Sequence, residues 1–480
     1  MQYVSRIPLT GSCLDLRGRA LALAALLLAA TAATAQTAPV PPPPLPTVAE
    51  NPNQLSMAQS IIPVCGNLRQ TVVGGTTLPG DQQTLFNACA GILRADSGDA
   101  SRSVALQELT GEELSAAQTT TVDFGGMQRA NIVSRLMTLR SARGATAVAS
   151  LSPADRDVFS LATGGAAGDG DTEGLGRLGV FLNGRVGSGS KDTTDLEAGY
   201  DVDTTGVTAG VDYRVSDQFV IGGALSYGNT EADFDSGSAG LSGGSTETDG
   251  YSLALFTSWY GERHYLDLIA TFGQLDVEST RRVSYTLDFV QPGYNNPDPQ
   301  AGTLIEDWDE TARGETDSDL FSIGAGFGYD FGSGAWHFGP MLAINYLKVD
   351  VDGFTETGAP GLDLTYGDQE GESLQFELGL DAGYSASMSW GVLSPYARFT
   401  YVSEQENDSQ VIDARFASDP TNTLIAIQSD DPDTNFFRWG VGLSALFANG
   451  FSAFIDYDSV TSLDTIDYGE VTAGVRFTFR

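Results

Sequence analysis

The chain has 480 residues with 25 Lys+Arg against 62 Asp+Glu, a formal net charge of −37. Nucleic acid is excluded as a partner, because a polyanion would be repelled and no basic patch is dense enough to reverse that. Two histidines in the whole chain argue against a histidine-based triad or zinc site, and a charged fraction of 18% is too low for a charge-swollen disordered chain. Fifty-seven glycines and 10% aromatics point instead to β structure.

Residues 1–35 read as an export signal. Arg6, Arg17 and Arg19 precede the apolar run Ala20–Ala30, too short for a spanning helix, and Ala33 and Ala35 form an A-x-A cleavage site. Cys13 precedes the apolar run and would be removed with it. Residues 36–52 contain the proline run Pro39–Pro46, which favours polyproline II and reads as a semi-rigid tether.

Residues 53–126 read as a small helical segment. Leu55, Ala58, Ile61 and Ile62 mark one apolar face, with Pro52 suited to the first turn. Pro79-Gly80-Asp81 marks a second start, followed by Leu85, Phe86, Cys89, Ile92 and Leu93. Cys65 and Cys89 sit one on each helix, and an even pair in an exported chain is expected to form a disulfide. Thr110-Gly111-Glu112-Glu113 has the T-x-x-E capping pattern and predicts the start of a third helix.

Residues 127–176 hold a further helix and a linker. In Met127–Arg143 the stripe is Ile132, Leu136 and Leu139, while Arg129, Arg135, Arg140 and Arg143 crowd the remainder with no acidic residue between them. Such a helix suits an acidic cavity. Residues 144–176 are rich in Gly, Ala and Asp and read as flexible linker.

From Arg177 the period changes to two. Twelve strands are expected, at 177–188, 203–215, 218–231, 247–260, 263–279, 317–331, 336–351, 371–386, 390–404, 434–447, 450–459 and 469–480. Five connections are tight: Ser216-Asp217, Gly261-Glu262, Gly332–Ala335, Ala386–Ser389 and Ala448-Asn449-Gly450. Six are long and acidic, among them Phe289–Thr316 and Glu404–Asp433. Short turns on one side and long loops on the other are the pattern of outer-membrane barrels. Tyr213, Phe219, Trp259, Tyr260, Tyr265, Phe331, Trp336, Phe338, Trp390, Phe447 and Phe451 gather beside the tight turns, where an interfacial girdle would lie. The expected fold is therefore mainly β: a twelve-stranded antiparallel transmembrane β-barrel over 177–480, plugged by an α-helix and preceded by a small α-helical segment. The sheet must close on itself to satisfy its backbone in lipid.

The first strand RLGVFLNGRVGSG, the pair TTGVTAGVDYRV and FVIGGALSYG, the aromatic GYSLALFTSWYG and the terminal VTAGVRFTF carry a resemblance. From about Gly176 to Arg480 the chain resembles the translocator β-domain of autotransporters, the type V secretion proteins of Gram-negative bacteria. The resemblance implies that Met127–Arg143 threads the lumen and that Phe477 and Phe479 form the terminal aromatic signal read by the outer-membrane assembly machinery. It further implies that the barrel displays or exports its own N-terminal passenger. Self-cleaving members use paired asparagines in the helix; here Asn131 stands alone, so the passenger is expected to stay attached. Expected partners are the Sec export machinery, the assembly machinery, outer-membrane lipid and lipopolysaccharide, and an unidentified host or surface ligand.

No catalytic pattern is present: no G-x-S-x-G elbow, no H-E-x-x-H and no Walker loop. No enzymatic activity, cofactor or metal is expected. Gly324–Gly328 reads as barrel wall and His264 and His337 as girdle residues. The acidic clusters Glu306–Glu310, Asp363, Asp368–Glu372 and Asp430-Asp431-Asp433 read as solvated loop charge rather than cation ligands. Two alternatives stay open: an adhesin or structural barrel acting through loops such as Phe289–Thr316, and a porin-like channel whose N-terminal segment stays periplasmic.

Overall fold

The computed structural model describes residues 44–94, 99–115, 121, 125–126, 129–137, 177–236, 242–290, 303–332, 334–406, 409–447 and 450–478. The cleavage pair Ala33 and Ala35, the helix residues Leu139, Arg140 and Arg143, and the terminal Phe479 lie outside these residues.

The strands in chain order begin with β1 (Leu178–Lys191), β2 (Tyr200–Ser216), β3 (Phe219–Phe234), β4 (Gly244–Tyr260), β5 (His264–Val290), β6 (Thr303–Tyr329) and β7 (Trp336–Val351). They continue with β8 (Leu364–Tyr366), β9 (Gln369–Tyr384), β10 (Ala386–Met388), β11 (Gly391–Glu404), β12 (Val411–Phe416) and β13 (Ile425–Gln428). The last are β14 (Asn435–Phe447), β15 (Phe451–Thr461) and β16 (Ile466–Thr478). Twelve of these form an antiparallel barrel, in which β9 pairs with β11 and β16 returns to β1, with Gly179 opposite Thr478. Closure satisfies both outer edges, as lipid requires.

Side chains alternate across the wall. Leu182, Leu225, Leu255, Ile323 and Leu380 face outward, 50–66% exposed. Thr208, Ser226, Ser252 and Thr271 face inward and are buried, with Thr208 and Ser226 hydrogen-bonded across β2 and β3 at 2.9 Å. The outward stretch of β4 between Trp259 and Tyr251 is about 20 Å tall at the ordinary rise and tilt of such strands. Beside the tight turns Trp259, Phe331, Trp336, Phe338 and Trp390 are 40–60% exposed, as a girdle demands. Tyr260 departs from it: one residue past Trp259, it takes the opposite parity and is buried inside. Among the described residues no helix is long and apolar enough to cross a membrane.

The connections differ from the sequence reading. Much of the acidic segment Phe289–Thr316 is strand, because β5 and β6 each run for 27 residues. β4 pairs β5 only as far as Arg281, so the hairpin continues past its neighbour on that side. There, Asp307 and Asp309 take the outward face, where Thr286 donates to Asp307 at 2.9 Å, while Val283, Tyr285 and Leu287 are buried on the other face. β8, β12 and β13 form a second, three-stranded sheet inside the long connections. The β15–β16 connection is only 462–465, with Ser462 at φ 68°.

The N-terminal segment folds as three helices, α1 (Pro52–Val73), α2 (Gly80–Arg94) and α3 (Asp99–Glu108). Asn51 caps α1 by accepting from Gln54 N–H at 2.7 Å, and the Gln54 side chain returns to Glu50 N–H at 2.7 Å. The buried face is Met57, Ala58, Ile61, Val64, Cys65 and Leu68; Leu55 and Ile62, read from the sequence as part of it, are 37% and 40% exposed. Thr110-Gly111-Glu112-Glu113 does not open a helix with a capping box. Gly111 sits at φ 71°, and Thr110 Oγ1 donates back to Gln107 O at 2.6 Å, so the motif ends α3. Only a single 3₁₀ turn, Glu112–Leu114, follows. Residues 44–52 are not a free tether either, since Leu45 and Val48 are 3% and 6% exposed within the helical core.

Cys65 and Cys89 are bonded, joining α1 to α2 over a sequence separation of 24. Closing such a loop stabilises by roughly 3 kcal/mol. The double variant Cys65→Ala/Cys89→Ala is expected to lose about that much helical-module stability, read as a lower urea midpoint of its far-UV helical signal. An unchanged midpoint would show that the core alone holds the hairpin.

Candidate functional site

The lumen is occupied by helix. Residues 129–137 are helical, with Ile132 and Leu136 fully buried against Phe181, Val220, Phe256 and Ile269. Two glycines make this fit possible. A Cβ at Gly210 would lie 2.3 Å from the Phe181 ring and one at Gly222 2.2 Å from the Phe256 ring, so both rings lie along the wall beside the helix.

Around the apolar contact the helix is held by charge. Arg135, 1% exposed, reaches Asp212 on β2 at 2.5 Å, and Arg476 on β16 reaches the same carboxylate at 3.0 Å. Arg135 also lies over the Phe181 ring, 5.3 Å from its centroid. Arg129 meets Glu377 on β9 at 2.8 Å, and Arg438 and Asn345 complete that carboxylate at 3.3 and 3.0 Å. Asn131, buried, donates to Thr208 at 3.0 Å, and its carbonyl accepts from Asn183 at 3.3 Å. A cavity of about 290 Å³ remains beside the helix, lined in part by Arg129, Val133, Met137 and Glu377.

The chain's path follows from these contacts. Gly125 lies against Leu320 and Leu347 in the half toward the long connections, whereas Arg135 pairs four residues from the tight β2–β3 turn. The helix therefore descends through the lumen toward the tight-turn end, where β1 begins.

At the opposite end the helices α1–α3 cover the mouth. Their core is continuous with Val283, Tyr285 and Leu287 of β5, Leu364 and Tyr366 of β8, and Phe416 and Ile425 of the small sheet. Asn53, Ser56 and Ser60 lie on one face of α1 and bond the backbone of the edge strand β13 and its flank. Asn53 accepts from Gln428 N–H at 2.7 Å, Ser56 from Ala426 N–H at 2.9 Å, and Ser60 donates to Leu424 O at 2.6 Å. An edge that would otherwise be open is thus covered by a helix. The polar side chains Asn53, Ser56 and Ser60 at i, i+3 and i+7 were the available sequence signal for this docking.

Charge is also buried at that junction. Arg281 on β5 pairs with both oxygens of Glu356 at 2.9 and 2.6 Å and donates to Glu108 O and Leu362 O. Burial alone would weaken the Arg281 charge, but Glu356 holds its guanidinium above its ordinary value. Burial raises Glu108 to about 7 despite bonds from Ser284 N–H and the Ser242 hydroxyl. Glu112 and Glu113 are likewise raised by burial, to about 8 and about 7.

Phe477 lies on β16 and is 46% exposed on the outer wall. The rings of Trp259 and His264 are in contact at 5.0 Å beside the tight β4–β5 turn, and His337 stands opposite Gly383. Among the described residues no group of three or more His, Cys, Asp or Glu side chains is placed to hold a metal ion.

The family model for the autotransporter β-domain matches residues 180–458, more than half of the chain. The chain is 25% identical over 272 residues to an esterase, EstA, of Pseudomonas aeruginosa, covering 55% of this chain and 38% of that protein. It is 25% identical over 291 residues to outer membrane protein A of Rickettsia conorii, covering 58% of this chain and 13% of that one. The chain thus spans well under half the length of these curated relatives. Among solved structures, the translocator domain of the autotransporter NalP from Neisseria meningitidis aligns with a TM-score of 0.47 and 15% identity, covering 63% of this chain and 89% of that chain.

Proposed function

The chain belongs to the autotransporter β-domain family, and from that premise we propose that it is a translocator that carries its own N-terminal helices to the outer face and keeps them there. The family makes it an outer-membrane barrel of a Gram-negative bacterium. The observation that supports display is the path of the chain: α1–α3 share a core with the long-connection end, while β1 starts at the tight-turn end and a helix lies in the lumen between. Long connections face outward in such barrels and short turns face the periplasm.

In this reading the helices are a cap seated on the barrel's own loops, still joined to it through the lumen helix. Arg129 and Arg135 are the positioning groups that hold that helix after passage. The outward aromatics would contact lipid headgroups, and Phe477 with Phe479 would serve recognition by the assembly machinery. The esterase activity named for one relative belongs to that protein; the likeness used here is the barrel.

An epitope inserted in the exposed turn 74–77 between α1 and α2 tests the reading without touching the buried Leu45 and Val48. Intact cells are expected to bind the antibody to the same extent as permeabilised cells. Binding only after permeabilisation would leave the helices periplasmic and overturn self-display.

A further inference from the structure

The junction between the helical cap and the barrel mouth buries more carboxyl groups than cations. Glu108, Glu112, Glu113 and Glu356 are each 1–3% exposed. From β5, Arg281 faces Glu108, Glu113 and Glu356, and its charge is taken by the two-oxygen pair with Glu356. From β8, the Tyr366 hydroxyl donates to Glu356 at 3.2 Å. On the other side Glu112 faces Glu197 of the β1–β2 connection and Lys191 at the end of β1, and Lys191 is already paired with Glu197 and Asp430. The Gln107 amide approaches Glu112 and the Glu113 backbone N–H approaches its own carboxyl, but no hydrogen bond of ordinary geometry reaches the four oxygens of Glu112 and Glu113. A buried carboxylate without a partner is far more costly than the neutral acid in the same place.

We propose that Glu112 and Glu113 form a proton-operated latch: docking of the cap onto the barrel mouth takes up protons, so the cap tightens as pH falls and loosens as pH rises. The direction follows from the burial. In the docked state Glu113 is raised to about 7 and Glu112 to about 8, from the 4.5 of a solvated glutamate. The docked state therefore has its full advantage below about 4.5 and loses it as pH rises through 7 to 8. Glu113 alone would weaken the docking constant by more than ~50-fold between pH 5 and pH 8. The latch is a property of the folded protein and does not rest on how the helices reached that face.

The test uses purified full chain in detergent micelles, with fluorophores on Val73→Cys, in the exposed end of α1, and Thr286→Cys, on the outward face of β5. Their separation is followed through urea titrations at pH 5 and pH 8. The wild-type docking constant is expected to be at least 50-fold larger at pH 5. In Glu112→Gln/Glu113→Gln the pH 8 docking should be tighter than in the wild type, and the pH effect should shrink by about tenfold or more. Glu113→Gln alone, read the same way, covers the case in which the double variant does not fold. A wild-type constant that is level or rises with pH overturns the proposal, as does a variant that keeps the wild-type pH effect within twofold. The intact-cell tag reads location and this titration reads protonation, so failure of one is distinguishable from failure of the other.

Discussion

Asp212→Ala is expected to cost the plugged barrel about 3–5 kcal/mol, because it strips the counter-charge from two arginines at once. Asp212 is 2% exposed and accepts from Arg135 and Arg476 on opposite sides. With the carboxylate gone, Arg135 would stay buried against Phe181 and the inner wall with no anion in contact. The temperature at which the folded band is lost on semi-native gels should drop clearly. Arg135→Met should cost less, since Arg476 still pairs with Asp212 and a thioether suits the apolar surroundings. A melting temperature for Asp212→Ala indistinguishable from wild type would mean that the Ile132 and Leu136 contacts alone hold the helix.

Arg281→Ala is the second large effect, and it acts on the cap rather than the plug. The guanidinium is buried, spans both oxygens of Glu356 and donates to two backbone carbonyls, from the end of α3 and the connection before β8. Its loss leaves the buried Glu356 without its ion-pair partner among other buried acids, at about 3–5 kcal/mol. That cost should be largest near pH 8 and smaller near pH 5, because Glu108 and Glu113, which face Arg281 and are raised by burial to about 7, are protonated at pH 5 and need no counter-ion there. The same label pair across the cap and β5 reads it. A deficit that grows on acidification would show that the carbonyl bonds, and not charge, are what Arg281 supplies.

The barrel was legible because its signals are local. Alternation in β1–β4, the tight pairs such as Gly261-Glu262, and outward aromatics at Trp259 and Trp390 each depend on a few neighbouring residues, and each drew the strand in the correct place. The lumen helix was legible for a chemical reason: Arg129 and Arg135 with no acid between them need one elsewhere. The failures came where charge was read as solvation. Glu306–Glu310 looked like loop, yet it is strand, with Asp307 and Asp309 on the outward face and Trp308 and Glu310 opposite the core-facing Tyr285 and Val283 of β5. Tyr260 was assigned to the girdle by proximity to a turn, and parity sends it inside. Glu112 and Glu113 looked like the acidic first turn of a helix because Gly111 was not recognised as a left-handed stop.

Composition, period and spacing settled a closed twelve-stranded wall, an exported chain's cysteine pair and a basic helix in need of an acidic cavity, since each is encoded within a strand, a turn or a helix face. Which carboxylates receive the arginines was decided only in three dimensions: Asp212 and Arg135 are 77 residues apart in the chain. The fusion of α1–α3 with β5, β8 and β13 into one core was decided there too. Such contacts join residues hundreds of positions apart, as Ser60 and Leu424 are, and no local pattern carries that pairing.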